Sequence, residues 1–236
     1  MPFLNKQKYI LKLLSLCGLV FITAACTTSE SRSSSLANER ERLSPNSSAE
    51  LNVRLAIDYL KQKNIPMAKV SLLKAKQDAP KSAAVWYAMG YFDEVTGDAA
   101  KAEEDYERAI QFAPKSGNAH NNYGTFLCRH GRYRESVEQF SVATSIPDYL
   151  DVSGAYENAG LCATLIPDRK MAMSFFLKAV SNDPNHPTSL LELAKLYYEQ
   201  GDFQKSRNYL TEFNTLSKPT PESEQLEAQL NGEPHV

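Results

Sequence analysis

From residue 49 onward, small side chains recur at a fixed interval, and this period constrains the fold more than any other feature of the chain. Ala56, Gly90, Gly124, Gly160 and Ala194 form one column. Ala68, Ala102, Ser136, Ala172 and Ser206 form a second. Ala75, Ala109, Ala143 and Ala179 form a third, which Phe213 breaks. The interval is 34 residues, with one step of 36 between the third and fourth units near "IPDYLDVS". Pro80, Pro114 and Pro184 close units, and Pro147 and Pro219 are displaced by one. Such a period marks a stacked array. Small residues belong where paired helices come closest, because larger ones would force the backbones apart. Neither helix of a unit can bury its apolar face alone, so the units must stack.

Hydrophobic periodicity places helix pairs, A then B, at about 50–62 and 66–78, 83–96 and 99–112, 116–130 and 133–145, 152–166 and 168–182, and 187–200 and 203–216. Gly97, Gly131 and Gly201 follow A helices and suit the left-handed backbone that ends a helix. In the last segment, 219–236, Leu226 and Leu230 stand at i, i+4 among acids. This suits a helix capping the open end of the array, with a frayed tail as the alternative.

The pattern resembles the tetratricopeptide repeat. In the second unit Trp86, Met89, Gly90, Ala102, Tyr106, Ala109 and Pro114 all fall on the family pattern. The resemblance implies an all-α, right-handed superhelical solenoid of about five repeats over 49–218, its concave face lined by A helices. Asn52 replaces an aromatic in the first unit and Phe213 an alanine in the fifth, so a sixth, degenerate unit on the terminal helix is a second possible count.

The N-terminus has a different character. Lys6, Lys8 and Lys12 accompany the apolar run "ILKLLSLCGLVFITAA", and residues 1–25 contain no acid. This is the pattern of an export signal. Ala24 and Ala25 directly before Cys26 resemble a bacterial lipobox, although Thr23 departs from the usual aliphatic residue. The resemblance implies cleavage before Cys26 and lipidation of its thiol, including palmitate-type acylation of the new terminus. An ordinary signal with a chance cysteine is the alternative. Thr27, where an aspartate would favour the inner membrane, implies the outer membrane. Residues 26–48 then comprise the lipidated cysteine and a polar, disordered tether.

The net charge is −2, and −5 once the three signal lysines are removed, so no electrostatic footprint for nucleic acid is present. His120, His130, His186 and His235 are scattered without metal-ligand spacing, and phosphate-loop, nucleophile-elbow and CxxC motifs are absent. Cys128 and His130 point to different faces of a helix. No catalysis, cofactor, metal or small-molecule substrate is expected. The chain reads as a protein-binding module.

The run "NNYGTFLCRHGRYRES", then "PDY" and "YENAGLC", resembles the type IV pilus biogenesis lipoproteins of the PilF/PilW kind. This resemblance implies a pilotin: an outer-membrane, periplasm-facing lipoprotein that helps the pilus secretin subunit reach the membrane, form multimers or persist. An envelope adaptor recruiting cell-wall enzymes is the competing reading. In the implied groove, Asn122 and Asn158 each precede a column glycine by two residues. Their amides can bond the backbone of an extended peptide, with Tyr91, Thr125 and Arg129 flanking; alternatively, they fix the helix stack. The resemblance also implies a disulfide between Cys128 and Cys162. Taken alone, the residues leave buried free thiols open as well.

Overall fold

The computed structural model describes residues 45–232. The expected signal, the lipid site at Cys26 and the tether as far as residue 44 lie outside the described residues. The chain divides after Ser48, and the array from Ala49 onward is one compact unit.

Eleven α-helices and no strand occupy the described residues: α1 Pro45–Lys61, α2 Ile65–Asp78, α3 Ala83–Val95, α4 Ala99–Phe112, α5 Gly117–Arg129, α6 Tyr133–Ser145, α7 Val152–Ala163, α8 Arg169–Asn182, α9 Pro187–Glu199, α10 Phe203–Leu216 and α11 Pro221–Asn231. They form an all-α solenoid of five A/B pairs, α1/α2 to α9/α10, followed by α11. A helices of successive repeats touch: α3 with α5, α5 with α7, α7 with α9, and α9 with α11.

Two helix ends depart from expectation. The first helix begins at Pro45 rather than near residue 50, so residues 45–48, expected in the tether, are helical. Proline suits the first helical turn, where its missing N–H costs nothing. Helix α7 stops at Ala163, ahead of the expected 166. Pro167 disfavours helical backbone at Ile166, and a turn takes over. The two extra residues of the 36-residue step lie between α6 and α7: that connection, 146–151, has six residues, against four in 79–82, 113–116 and 183–186.

One contact recurs within every pair. Sixteen residues after each member of the first small column comes a large side chain: Leu72, Tyr106, Phe140, Phe176 and Leu210. None of these is more than 4% exposed. Where it is aromatic the small partner is glycine; where it is leucine the partner is alanine. A Cβ on Gly90 would stand 3.0 Å from the Tyr106 ring, one on Gly124 3.0 Å from Phe140, and one on Gly160 2.6 Å from Phe176. Gly124, a weak helix former in mid-helix, is therefore there to admit an aromatic ring against the backbone.

Four B helices share a start signal. Asn64, Asp98, Asp168 and Asp202 each accept a hydrogen bond from the backbone N–H three residues on, which satisfies one of the orphan donors of a first turn. Gly97, Gly131 and Gly201 precede the cap position with φ of 91°, 78° and 80°. In the first repeat Lys63 takes that place at φ 58°, a conformation that costs an L-residue about 1–2 kcal/mol.

Helix α11 has the register of a sixth A helix. Pro221 and Ser223 follow Pro187 and Ser189 by 34 residues, and both serines are buried. Leu226 and Leu230 pack with Leu190, Ala194, Leu210 and Phe213. Phe213, which breaks the alanine column, thus fills space beside α11. Ala228, 34 residues after Ala194, is exposed.

The paired sizes generate a rescue experiment. Gly160→Ala is expected to lower stability by about 1–3 kcal/mol through overpacking, despite alanine's better helix propensity. Adding Phe176→Leu, which recreates the Ala–Leu pair of the first and fifth repeats, should recover most of the loss in urea unfolding.

Candidate functional site

The A helices carry the residues expected to meet a partner. Asn122 is half-buried on α5, and its Nδ2 donates to Asn118 O of its own helix at 2.7 Å. Thr125 Oγ1 likewise donates to Asn121 O at 2.8 Å. Asn158, on α7, donates from Nδ2 to Asn121 Oδ1 at 3.1 Å. The structure therefore places Asn158 opposite Asn121, one residue before the Asn122 that shares its offset from the glycine column. Arg129 donates from Nε and Nη2 to both Glu94 carboxylate oxygens at 2.7 Å and lies 6.0 Å from the Tyr91 ring. Tyr91 and Arg129 are thus brought together across α3 and α5, with Glu94 as the anion that orients the guanidinium, and Thr125 lies one turn before Arg129 on α5. Asn122 and Asn158 each keep Oδ1 and one amide N–H for a further donor or acceptor.

Helices α5 and α7 are fastened at three heights. At their C-terminal ends a disulfide joins Cys128 and Cys162, with Cα atoms 5.8 Å apart. Asn121 and Asn158 meet near the middle. At the α5 N-terminus, the Tyr149 ring from the long connection occupies the space of a Gly117 side chain, whose Cβ would lie 2.3 Å from Tyr149 Cγ. A cavity of about 300 Å3 opens beside it, between Lys115–Asn118 and Ile146–Asp151. The irregular step is the most heavily tied junction of the array.

Sequence reasoning missed three groups. Glu94 was signalled only by an opposite charge, Arg129, 35 residues on. Asn121 was signalled by nothing beyond its neighbour. Glu157 of α7 crosses to the next repeat and caps α9, accepting from Ser189 N at 3.1 Å and Ser189 Oγ at 2.8 Å, with His186 Nδ1 at 3.3 Å. The N-cap residue His186 supplies no cap of its own. This serine, histidine and glutamate are not a nucleophilic triad, because the hydroxyl donates to the carboxylate and Ser189 is fully buried. His120 also has a packing role. Its Nε2 meets Pro114 O at 2.9 Å, as Trp86 Nε1 meets Pro80 O at 2.7 Å in the preceding repeat. A carbonyl can only accept, so Nε2 carries the hydrogen. Among the described residues no three metal-ligating side chains cluster, and no helix is long and apolar enough to cross a membrane.

A buried acid pair lies behind the Glu94 surface. Asp93 of α3 takes Lys101 Nζ at 2.8 Å, and Arg108 stands 3.7 Å from Asp105 of α4. The Oδ2 atoms of both carboxyls are buried without a partner. A single proton between them satisfies both. Burial, and then the hydrogen bond to Asp93, raise the Asp105 carboxyl to about 6.

The repeat geometry agrees with comparison to known proteins. The tetratricopeptide-repeat family matches at residues 83–116 and 175–208. An uncharacterized protein of Haemophilus influenzae is 35% identical over 157 residues, 66% of this chain and 83% of its own length. The type IV pilus assembly protein PilF of Pseudomonas aeruginosa is 29% identical over 157 residues. The chain belongs to the tetratricopeptide-repeat family and is homologous to PilF. The match spans 62% of that PilF relative's length. A solved structure of P. aeruginosa PilF superposes with a TM-score of 0.73 at 26% identity, over 80% of this chain and 85% of the other. PilW, a widely conserved type IV pilus biogenesis factor, shares the fold with a TM-score of 0.65 at 23% identity, over 79% and 94% of the two chains.

Two tests follow from this tetratricopeptide array. Replacing Cys128 and Cys162 by serine is expected to lower unfolding free energy by about 3–4 kcal/mol, from the chain-entropy effect of a loop of this size. Reductant should reproduce the loss in the native protein and expose two alkylatable thiols. The acid pair predicts a pH effect of defined sign. The Asp105 value is raised in the folded state, so its contribution is fully present below about pH 4 and is lost as pH rises through about 6. Relative to the native chain, Asp105→Asn should therefore gain stability between pH 4 and 7, by about 2 kcal/mol or less.

Proposed function

We propose that this chain is a pilotin-type lipoprotein of the type IV pilus. In this reading it is anchored in the outer membrane through lipid on Cys26 and faces the periplasm. It holds a segment of the pilus secretin subunit against its A helices and assists localisation, multimer assembly or stability of the secretin. The observation that carries the reading is homology to PilF, a type IV pilus assembly protein, across the repeat array. The site supports it chemically. Asn122 and Asn158 offer unused amide groups on adjacent A helices, suited to main-chain bonding with an extended segment. The three-point fastening of α5 to α7 fixes the distance between those amides, which lowers the ordering cost of binding.

Deletion of the gene, followed by membrane fractionation, tests the reading. Secretin multimers should fall and twitching should fail, and the native gene should restore both, whereas a Cys26→Ser gene should not. Normal multimers in the deletion strain would overturn the pilotin role. The double variant Asn122→Ala, Asn158→Ala should bind secretin fragments at least several-fold more weakly while staying folded, its melting temperature lowered only by loss of the Asn158–Asn121 bond, since truncating a hydrogen-bonding group typically costs about 1 kcal/mol or more.

A further inference from the structure

The outer face of α2 differs from its counterparts in the other repeats. Met67, Val70 and Leu73, at i, i+3 and i+6, are 41%, 59% and 54% exposed. They span an arc of about 120° opposite the buried Ala68, Leu72 and Ala75. The equivalent positions are Lys101, Glu104 and Glu107 in α4, Glu135, Glu138 and Ser141 in α6, and Lys205, Asn208 and Thr211 in α10. Only α8 keeps part of the pattern, with Met171 and Leu177 about Ser174, and there the two apolar residues are half-buried. On α2, Lys74 lies within the apolar arc, Lys69 lies at its edge, and Lys63 precedes the helix; all three are exposed.

Charge is segregated along the array in the same sense. Residues 49–82 carry seven Lys and Arg against three Asp and Glu, a net +4. Residues 83–232 carry 13 against 21, a net −8. An exposed aliphatic stripe interleaved with lysines, on one basic repeat of an otherwise acidic body, matches an anionic bilayer: side chains enter the acyl boundary while ammonium groups meet acidic headgroups. A second copy is a poor occupant, because it would set the lysines of the two stripes against each other. We infer that the α2 face docks the first repeat onto an anionic lipid surface and that the acidic remainder, repelled by that surface, projects away from it. This inference rests on the lipid anchor at Cys26 proposed above. Eighteen residues separate Cys26 from Pro45, so the anchor holds the first repeat within about 65 Å of the bilayer in any chain conformation.

The test uses the full chain, processed in the cell and reconstituted into vesicles. Leu73→Cys, and in a separate chain Leu216→Cys as control, carry an environment-sensitive fluorophore. The vesicles are phosphatidylcholine with or without phosphatidylglycerol, in each case with brominated acyl chains as quenchers. The label at 73 should shift to the blue and be quenched on anionic vesicles, be relieved by salt, and respond little on neutral ones; the label at 216 should stay in water. Lys69→Glu with Lys74→Glu should weaken the docked state by about fivefold or more per lysine. A label at 73 as wet and unquenched as that at 216 overturns the proposal. So does a blue shift without bromine quenching, which reports a protein contact instead. Flotation in high salt reads the acyl anchor separately. If that fails, the same quenching on anionic vesicles added to the chain still decides the docking.

Discussion

The array depends on a contact of unequal partners: a large B-helix side chain set against a small A-helix residue sixteen positions earlier. At Gly90, Gly124 and Gly160 the ring reaches the backbone itself. At Ala56 and Ala194 a leucine takes the place of the ring. This contact sets how closely each A helix approaches its B helix, and hence the height of each repeat. Everything on the A-helix face inherits its spacing from that approach. The glycine lowers local helix propensity by about 1 kcal/mol, and burial of an aromatic side chain more than offsets it.

Periodicity made the helices legible, because a repeated small column admits few alternatives at the contact. The helix pairs, the place of the two inserted residues and the left-handed glycines could all be read this way. Side-chain partners were harder to read. Asn158 bonds Asn121 rather than standing level with Asn122, because the small column reports how an A helix meets its own B helix and not how it meets the next A helix. The Tyr149 ring over Gly117 was invisible for a similar reason: nothing local says that an inserted aromatic folds back onto the preceding repeat. Glu157 illustrates a further limit. A residue that caps the next repeat's helix looks in sequence like any surface acid. The early start of the first helix at Pro45 was concealed because Pro-Asn-Ser-Ser is polar and low in helix propensity, although proline is tolerated in a first turn.

Polar groups divide into those consumed by the fold and those that keep bonding capacity. Trp86 and His120 are spent on proline carbonyls at the repeat joints. Glu94 is shared by Arg129, with Tyr106 Oη at 3.3 Å. Behind it the Asp93–Asp105 pair keeps two carboxyls where an apolar pair would pack without a proton. The asparagines differ from all of these, because each makes one bond to the protein and retains capacity. That retained capacity is what the proposed peptide-binding role of Asn122 and Asn158 would draw on.

The three ties between α5 and α7 also have a mechanical meaning. A stack of helix pairs behaves as a coil spring, and its compliance lies in the sliding between neighbouring turns. Covalent linkage at one end of a junction, an amide bridge at mid-height and an interlocked ring at the other remove that sliding between the third and fourth turns. The spring is therefore clamped covalently at its centre and held on either side by polar and packing contacts alone. Strain applied at one end must be taken up by the one or two turns on that side of the clamp, which makes the two arms mechanically separate.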